Sequence, residues 1–341
     1  MPDMSDATIS FPILGEKFIL DFKPYFVLFG WKFYWYGIII ALGFLLAVIY
    51  AFKRAKQFGL NDDNIVDLLI YAVPIGVVGA RLYYVVFYDW SFKGSLWENI
   101  VRIVNIREGG LAIYGGVIFA FIGALIFSRV KKVKLGAVAD ISGLGLLIGQ
   151  AVGRWGNFVN REAFGYKTSV PWKMGLTNQY GTFYYHPAFL YESLWNVLGF
   201  ILLHFYSKRR KFDGEVFIMY LGWYGLGRLY IEGLRQDSLF LFGTQLRVSQ
   251  LVALICVIGS LALLLYNRIG KNHEPDELYV NRHLASRVED SETLPEQEEE
   301  DQELSDIYNT LIQKADFPEE PSAEEGDSNL PEGENVPPEK G

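Results

Sequence analysis

Seven stretches of this chain are apolar over the thickness of a bilayer. A helix needs about 20 mostly apolar residues to cross the hydrocarbon core. Runs of that kind recur at about 34–52, 65–88, 111–129, 136–153, 187–206, 215–233 and 248–267. Buried helices of a large soluble core would show polar faces, and these mostly do not. The expectation is an all-α polytopic membrane protein with about seven transmembrane helices.

Charge sets the orientation. Lys53, Arg54 and Lys56 follow the first run; Arg129, Lys131, Lys132 and Lys134 follow the third; Lys208, Arg209, Arg210 and Lys211 follow the fifth; Arg268 and Lys271 follow the seventh. Basic clusters in short loops stay in the cytoplasm. Seven crossings then leave the N-terminus outside and the C-terminus in the cytoplasm. The formal charge of −8 conceals two regimes. Of 39 acidic and 31 basic residues, 22 acidic and 5 basic lie from Lys271 onward, so the tail carries −17 and the body +9.

Three regions follow: an external arm over 1–33, a membrane domain over 34–270, and an acidic tail over 271–341. Lys17, Asp21 and Lys23 break any apolar signal core in the arm. The tail is rich in Glu, Pro and Ser, a composition that buries too little apolar surface to fold, so it is expected to be largely disordered. Leu304, Ile307, Tyr308, Leu311 and Ile312 recur at helical spacing within it and leave a short docking helix open. Its partner is unknown.

The fourth run ends in Gly153-Arg154-Trp155-Gly156-Asn157-Phe158-Val159-Asn160-Arg161-Glu162-Ala163-Phe164-Gly165. An arginine, two amides and a carboxylate thus emerge where hydrocarbon gives way to headgroups, and glycines let backbone N–H groups come close. A planar guanidinium with amide donors suits a phosphate. In the sixth run Tyr224, Arg228, Glu232 and Arg235 share one helical face. That stripe either meets a ligand or merely neutralises its own charge through an Arg228–Glu232 pair.

Other polar residues stand in or beside the runs. Arg81 lies in the second, where it either faces a cavity or snorkels to an interface. Paired glycines flank Leu111–Tyr114, as in close helix packing or a broken helix. His186 precedes Pro187 at the start of the fifth run; its ordinary pKa near 6.5 suits a general base, although a cap or interfacial residue reads the same way. Tyr34 and Trp35 fit an interfacial belt. Cys256, the one cysteine, sits among aliphatic residues and is expected to be inert.

The pattern Gly-Arg-x-Gly-Asn-Phe-x-Asn-x-Glu-x-x-Gly, in place at 153–165, resembles the signature of the prolipoprotein diacylglyceryl transferases, bacterial cell-membrane enzymes that begin lipoprotein maturation. The resemblance covers about residues 30–270. It implies functional roles for Arg154, for Arg228 within Tyr224-Gly225-Leu226-Gly227-Arg228, and for Tyr36 within Trp35-Tyr36-Gly37. Many members carry histidine where this chain has Tyr114, a poor base at a pKa of about 10. The implied substrates are phosphatidylglycerol and the lipobox cysteine of a prolipoprotein; the products are an S-diacylglyceryl thioether and glycerol 1-phosphate.

On that reading Arg154 and Arg228 bind the phosphate, and Asn157, Asn160, Glu162, Gly165 and Arg81 complete the lipid site. Tyr36, Tyr114 and Tyr224 line it, and His186 stands nearby, with the general base unassigned. A transporter or flippase for an anionic lipid is the rival from another class; it calls for inverted repeats, and none is visible. No nucleotide loop, zinc-protease helix or serine elbow occurs. Neither metal nor cofactor is implied, and the acidic tail argues against nucleic acid.

Overall fold

The computed structural model describes residues 4, 6–15, 17–88, 95–106, 109–236, 240, 244, 246–282, 306, 307 and 310. In chain order the elements are β1 (Thr8–Ser10), β2 (Ile19–Leu20), β3 (Tyr25–Leu28), β4 (Trp31–Tyr34), α1 (Trp35–Arg54), α2 (Asp62–Phe87), α3 (Leu96–Val104), α4 (Ile113–Val130), α5 (Leu135–Asn160), β5 (Met174–Asn178), β6 (Gly181–Tyr185), α6 (Ala188–Tyr206), α7 (Glu215–Leu234) and α8 (Val248–Ile269). A long helix stands at each of the seven apolar runs. Six are long and apolar enough to cross a membrane, with mean hydropathy from 1.3 to 2.5. The remaining one, α7, has 20 residues and carries Glu215, Arg228 and Glu232 within them.

The all-α expectation needs one correction. The arm and the α5–α6 connection build a four-stranded antiparallel sheet in the order β2-β1-β5-β6, with Ile9 opposite Leu176 and Leu176 opposite Phe183. A separate hairpin joins β3 to β4. β1, with three residues, is too short to register as a strand until it pairs with β5, more than 150 residues away. Ile9, Met174, Leu176, Tyr185 and Phe189 bury their side chains beneath the sheet. The α2–α4 connection also holds α3, which opens with a Ser95–Glu98 capping box.

At the opposite end the helices meet through charge. Asp140 of α5 accepts the Gly214 and Phe217 N–H groups, both at 2.9 Å, and so caps the start of α7 from a neighbouring helix. Arg210 donates to the Gln57 carbonyl at 2.9 Å and stands 3.9 Å from both Asp140 and Asp213. Lys131 pairs with Asp67, and Arg268 with Glu215. The basic clusters after α1, α4, α6 and α8 therefore gather at one end, around the core of Phe58, Phe127, Ile141 and Leu144.

The folded body runs past Lys271. The Tyr279 N–H donates to Asp213 at 2.8 Å, Lys134 reaches the Glu277 carbonyl, and Val280 is buried against Gly59. Glu296–Gly341 form a second unit, in which the Thr310 hydroxyl donates to the Asp306 carbonyl within one turn. Leu304, Tyr308, Leu311 and Ile312 of the expected tail helix lie outside the described residues.

Helices α6 and α7 are registered by two stacked indoles. The Trp195 and Trp223 rings lie 4.3 Å apart, and each N–H donates to the other residue's carbonyl, at 2.9 and 3.0 Å. Each ring also covers a glycine of the facing helix: a Cβ on Gly227 would lie 2.3 Å from the Trp195 ring, and one on Gly199 2.2 Å from Trp223. Gly227→Ala is expected to cost about 1–3 kcal/mol through overpacking. Because Arg228 is the next residue, turnover should fall with the thermal midpoint; unchanged values for both would show that the indole stack yields freely.

Candidate functional site

The last turns of α5 present Arg154, Asn157 and Asn160 at intervals of three, on one face. Beyond the helix the chain reverses sharply, with φ of +52° at Arg161 and +55° at Ala163. Non-glycine residues adopt such values at a cost, and here the turn folds Glu162 back onto the helix. Asn157 donates to Glu162 at 2.9 Å and Asn160 does so at 3.4 Å, while Arg154 donates to the Asn157 oxygen at 3.1 Å. A carboxylate thus fixes an amide, and the amide fixes a guanidinium.

What holds the turn is the side chain of Arg161. Its Nε donates to the Ala7 carbonyl at 2.7 Å, Nη1 to Val159 at 2.8 Å, and Nη2 to Phe22, whose ring lies beneath the guanidinium. The arm is thereby tied to the signature turn.

Glu192, in the second turn of α6, stands at the focus of the site. Its Oε2 is 2.9 Å from Arg154 and 3.1 Å from Arg228, and its Oε1 is 3.3 Å from Arg235. Arg228 also pairs with Glu232 at 2.7 Å, one turn along α7. Glu192, Glu232 and Arg235 are buried. Among the described residues Glu192 thus gathers three guanidinium groups, and so much charge between helices persists only through such pairing. The arginine pair that the sequence selects is brought together. Glu192 is the residue that sequence reasoning left without a role, although an acid inside an apolar run is itself the signal for one.

The tyrosines surround this cluster. Tyr36 packs on Gly156, where a Cβ would lie 2.8 Å from its ring, within electrostatic reach of Glu162 and Arg154. Tyr114, in the first turn of α4, is within reach of Arg228, Glu232 and Tyr224. Tyr224 lines a narrow pocket with Glu192, Trp195, Asn196, Arg228 and Ile231.

Gly165 acts as a buckle: its N–H donates to the His186 carbonyl at 2.9 Å, it bridges to Arg235, and a Cβ there would lie 2.7 Å from that of His186. His186 bonds through Nδ1 with the Tyr191 hydroxyl at 3.1 Å, which also accepts from Trp172. Burial pushes the imidazole below its usual range.

Arg81 is placed elsewhere. Its guanidinium donates to the carbonyls of Arg102, Ile103, Gly109 and Gly110 at 2.7–2.9 Å and lies over Tyr84, closing the loop that leads into α4. A membrane arginine satisfied by backbone carbonyls has the same sequence appearance as one awaiting a ligand.

The chain matches the model of a family described as prolipoprotein diacylglyceryl transferase over residues 24–266. It is similar to the phosphatidylglycerol–prolipoprotein diacylglyceryl transferase of Listeria welshimeri, with 45% identity over 246 residues, 70% of this chain and 87% of that one. The enzyme of the same name from Clostridioides difficile is 41% identical over 253 residues, 74% of this chain and 98% of its own length. That from Finegoldia magna is 42% identical over 239 residues, covering 70% and 92%.

Proposed function

This chain belongs to the prolipoprotein diacylglyceryl transferase family, and from that premise we propose that it transfers the diacylglyceryl group of phosphatidylglycerol to a lipobox cysteine, with Arg154 and Arg228 holding the phosphate. The observation that carries the assignment is the convergence of both guanidinium groups, from different helices, on one oxygen of Glu192. Groups spaced to share a carboxylate oxygen are spaced to share a phosphate oxygen. Glu192 holds the arginines in place until the lipid arrives.

In the reaction the cysteine sulfur attacks the glycerol carbon bearing the phosphate. The C–S bond forms as the C–O bond breaks, the electron pair leaves on the phosphate oxygen, and glycerol 1-phosphate departs. Preorganised guanidinium groups stabilise the charge that gathers on that oxygen. Glu162, Asn157 and Asn160 orient Arg154; Tyr36, Tyr114 and Tyr224 wall the site; Arg81 and Gly165 hold the loops that close it.

The thiol proton goes to His186 in this scheme. Its depressed pKa keeps the imidazole neutral, and therefore able to accept, at neutral pH. Below its pKa it is protonated and cannot accept, so kcat/KM is expected to be flat near neutrality and to fall only on the acid side of the ordinary imidazole range. His186→Gln should lower the rate and abolish that acidic limb. A variant with an intact profile would remove His186 as the base.

The chain is a multi-pass membrane protein. Seven crossings, an outer N-terminus and a cytoplasmic tail in the bacterial cell membrane are the arrangement supported by the basic clusters gathered at one end and the signature at the other. Purified protein given phosphatidylglycerol and a lipobox peptide tests the activity: a diacylglyceryl mass on the peptide cysteine, with glycerol phosphate released, is the expected result. Saturable lipid binding that needs Arg154 but yields no adduct would identify a lipid carrier instead.

A further inference from the structure

Asn196 has no role in the scheme above. It lies on α6 one turn beyond Glu192, is 2% exposed, and lines the pocket shared with Tyr224 and Arg228. Its Oδ1 is buried without a hydrogen-bond partner. Buried polar side-chain atoms are overwhelmingly paired, so an orphan of this kind marks a place where something else donates. A leucine would fit a membrane helix at lower cost than an unpaired amide.

We propose that Asn196 accepts a hydrogen bond from the terminal hydroxyl of the donor lipid's glycerol headgroup and so selects a polyol phosphodiester from among anionic lipids. The proposal rests on the reading of the arginine cluster as the phosphate site. Helix α6 runs inward from its start beside the sheet, so Asn196 lies about 6 Å deeper than Glu192 along the axis. Tyr224 precedes Arg228 by one turn on the antiparallel α7 and brings its phenol to the same depth. A phosphate at Glu192 and Arg228 would thus leave a polyol's terminal hydroxyl reaching toward Asn196 and Tyr224, in a pocket that has room for about one water and must widen to admit it. The remaining walls, Trp195 and Ile231, are apolar, and the Trp195 N–H is already given to Trp223. A second charged group on the headgroup would lose its water between these walls, whereas a hydroxyl needs one acceptor.

The test compares phosphatidylglycerol with an analogue whose headgroup is propane-1,2-diol, lacking the terminal hydroxyl, in transfer to a lipobox peptide. The native protein is expected to favour phosphatidylglycerol in kcat/KM by about tenfold to a hundredfold. Asn196→Leu should bring that ratio close to one by slowing phosphatidylglycerol alone. Asn196→Ala, which adds no bulk, should do the same. The ratio is taken on one sample, so loss of folded protein cancels. A native ratio near one, or a preference that survives in both variants, overturns the proposal while leaving the transferase standing. Transfer by the native protein from neither lipid overturns the transferase reading and this proposal with it.

Discussion

Arg228→Ala is expected to lower diacylglyceryl transfer by about a hundredfold to a thousandfold. Loss of one preorganised donor to a developing anion typically costs about 2.7–4 kcal/mol, and Arg228 is placed to be such a donor, 3.1 Å from Glu192 and 2.7 Å from Glu232. The partition between constants identifies the role. If the guanidinium meets charge that grows as the C–O bond breaks, kcat falls with kcat/KM; if it only anchors the ground-state phosphate, KM rises and kcat holds. Arg228→Lys separates charge from shape. An ammonium keeps the cation but cannot bridge two carboxylates in a plane, so the lysine variant should recover only a small part of the loss. Full activity in either variant would remove Arg228 from the phosphate site.

The same mutation has a structural consequence that must be measured beside the rate. Glu232 is buried within α7, and without Arg228 it loses the partner 2.7 Å away. A buried charge left alone is costly. Arg228→Ala combined with Glu232→Gln removes both members, and should regain thermal stability without regaining transfer. That dissociation would show that the catalytic loss is not a folding loss.

The seven helices were legible because a chain in hydrocarbon must satisfy its backbone internally, as a helix does, and cover that helix with apolar side chains. Even α7, whose charges lower its hydropathy, could be read as an apolar run at about 215–233, with Tyr224, Arg228, Glu232 and Arg235 on one of its faces. Within the site, Arg154 and Arg228 were the strongest selections, and both contact one oxygen of Glu192. Glu192 was visible as an acid in an apolar run, but its meaning depends on three arginines from two other helices, a relation that no spacing within α6 expresses. Arg81 shows the converse: its chemistry fits a phosphate, yet its donors are used by four carbonyls of one loop. The strands were hidden for a related reason. Thr8-Ile9-Ser10 is too short to signal anything until Met174–Asn178 lies beside it. Asn196 escaped notice because a single amide in a membrane helix is unremarkable until its oxygen is found without a donor.

At the other end of the bundle, Asp140→Ala is expected to be among the most destabilising substitutions in the chain. Asp140 is fully buried and does two jobs at once. It caps α7 by accepting from Gly214 and Phe217, an interaction worth about 1 kcal/mol when such a cap is lost. It also faces Arg210, which is buried between α5, the α6–α7 turn and the ring of Phe58. Removing one partner of a buried pair typically costs about 3–5 kcal/mol, because the other charge remains. Asp213 stands 3.9 Å from Arg210 as well and should moderate that figure. Thermal unfolding in detergent measures the loss. Asp140→Asn, which keeps an acceptor for one N–H, should fall between the native protein and alanine, and Arg210→Met placed on Asp140→Ala should recover part of the stability. Because Asp140 lies near the start of α5 and Arg154 near its end, turnover per folded molecule below the unfolding transition should stay close to native. A large drop in that specific rate would mean that the capped start of α7 also sets the position of Arg228 further along the same helix, and that the two ends are mechanically one.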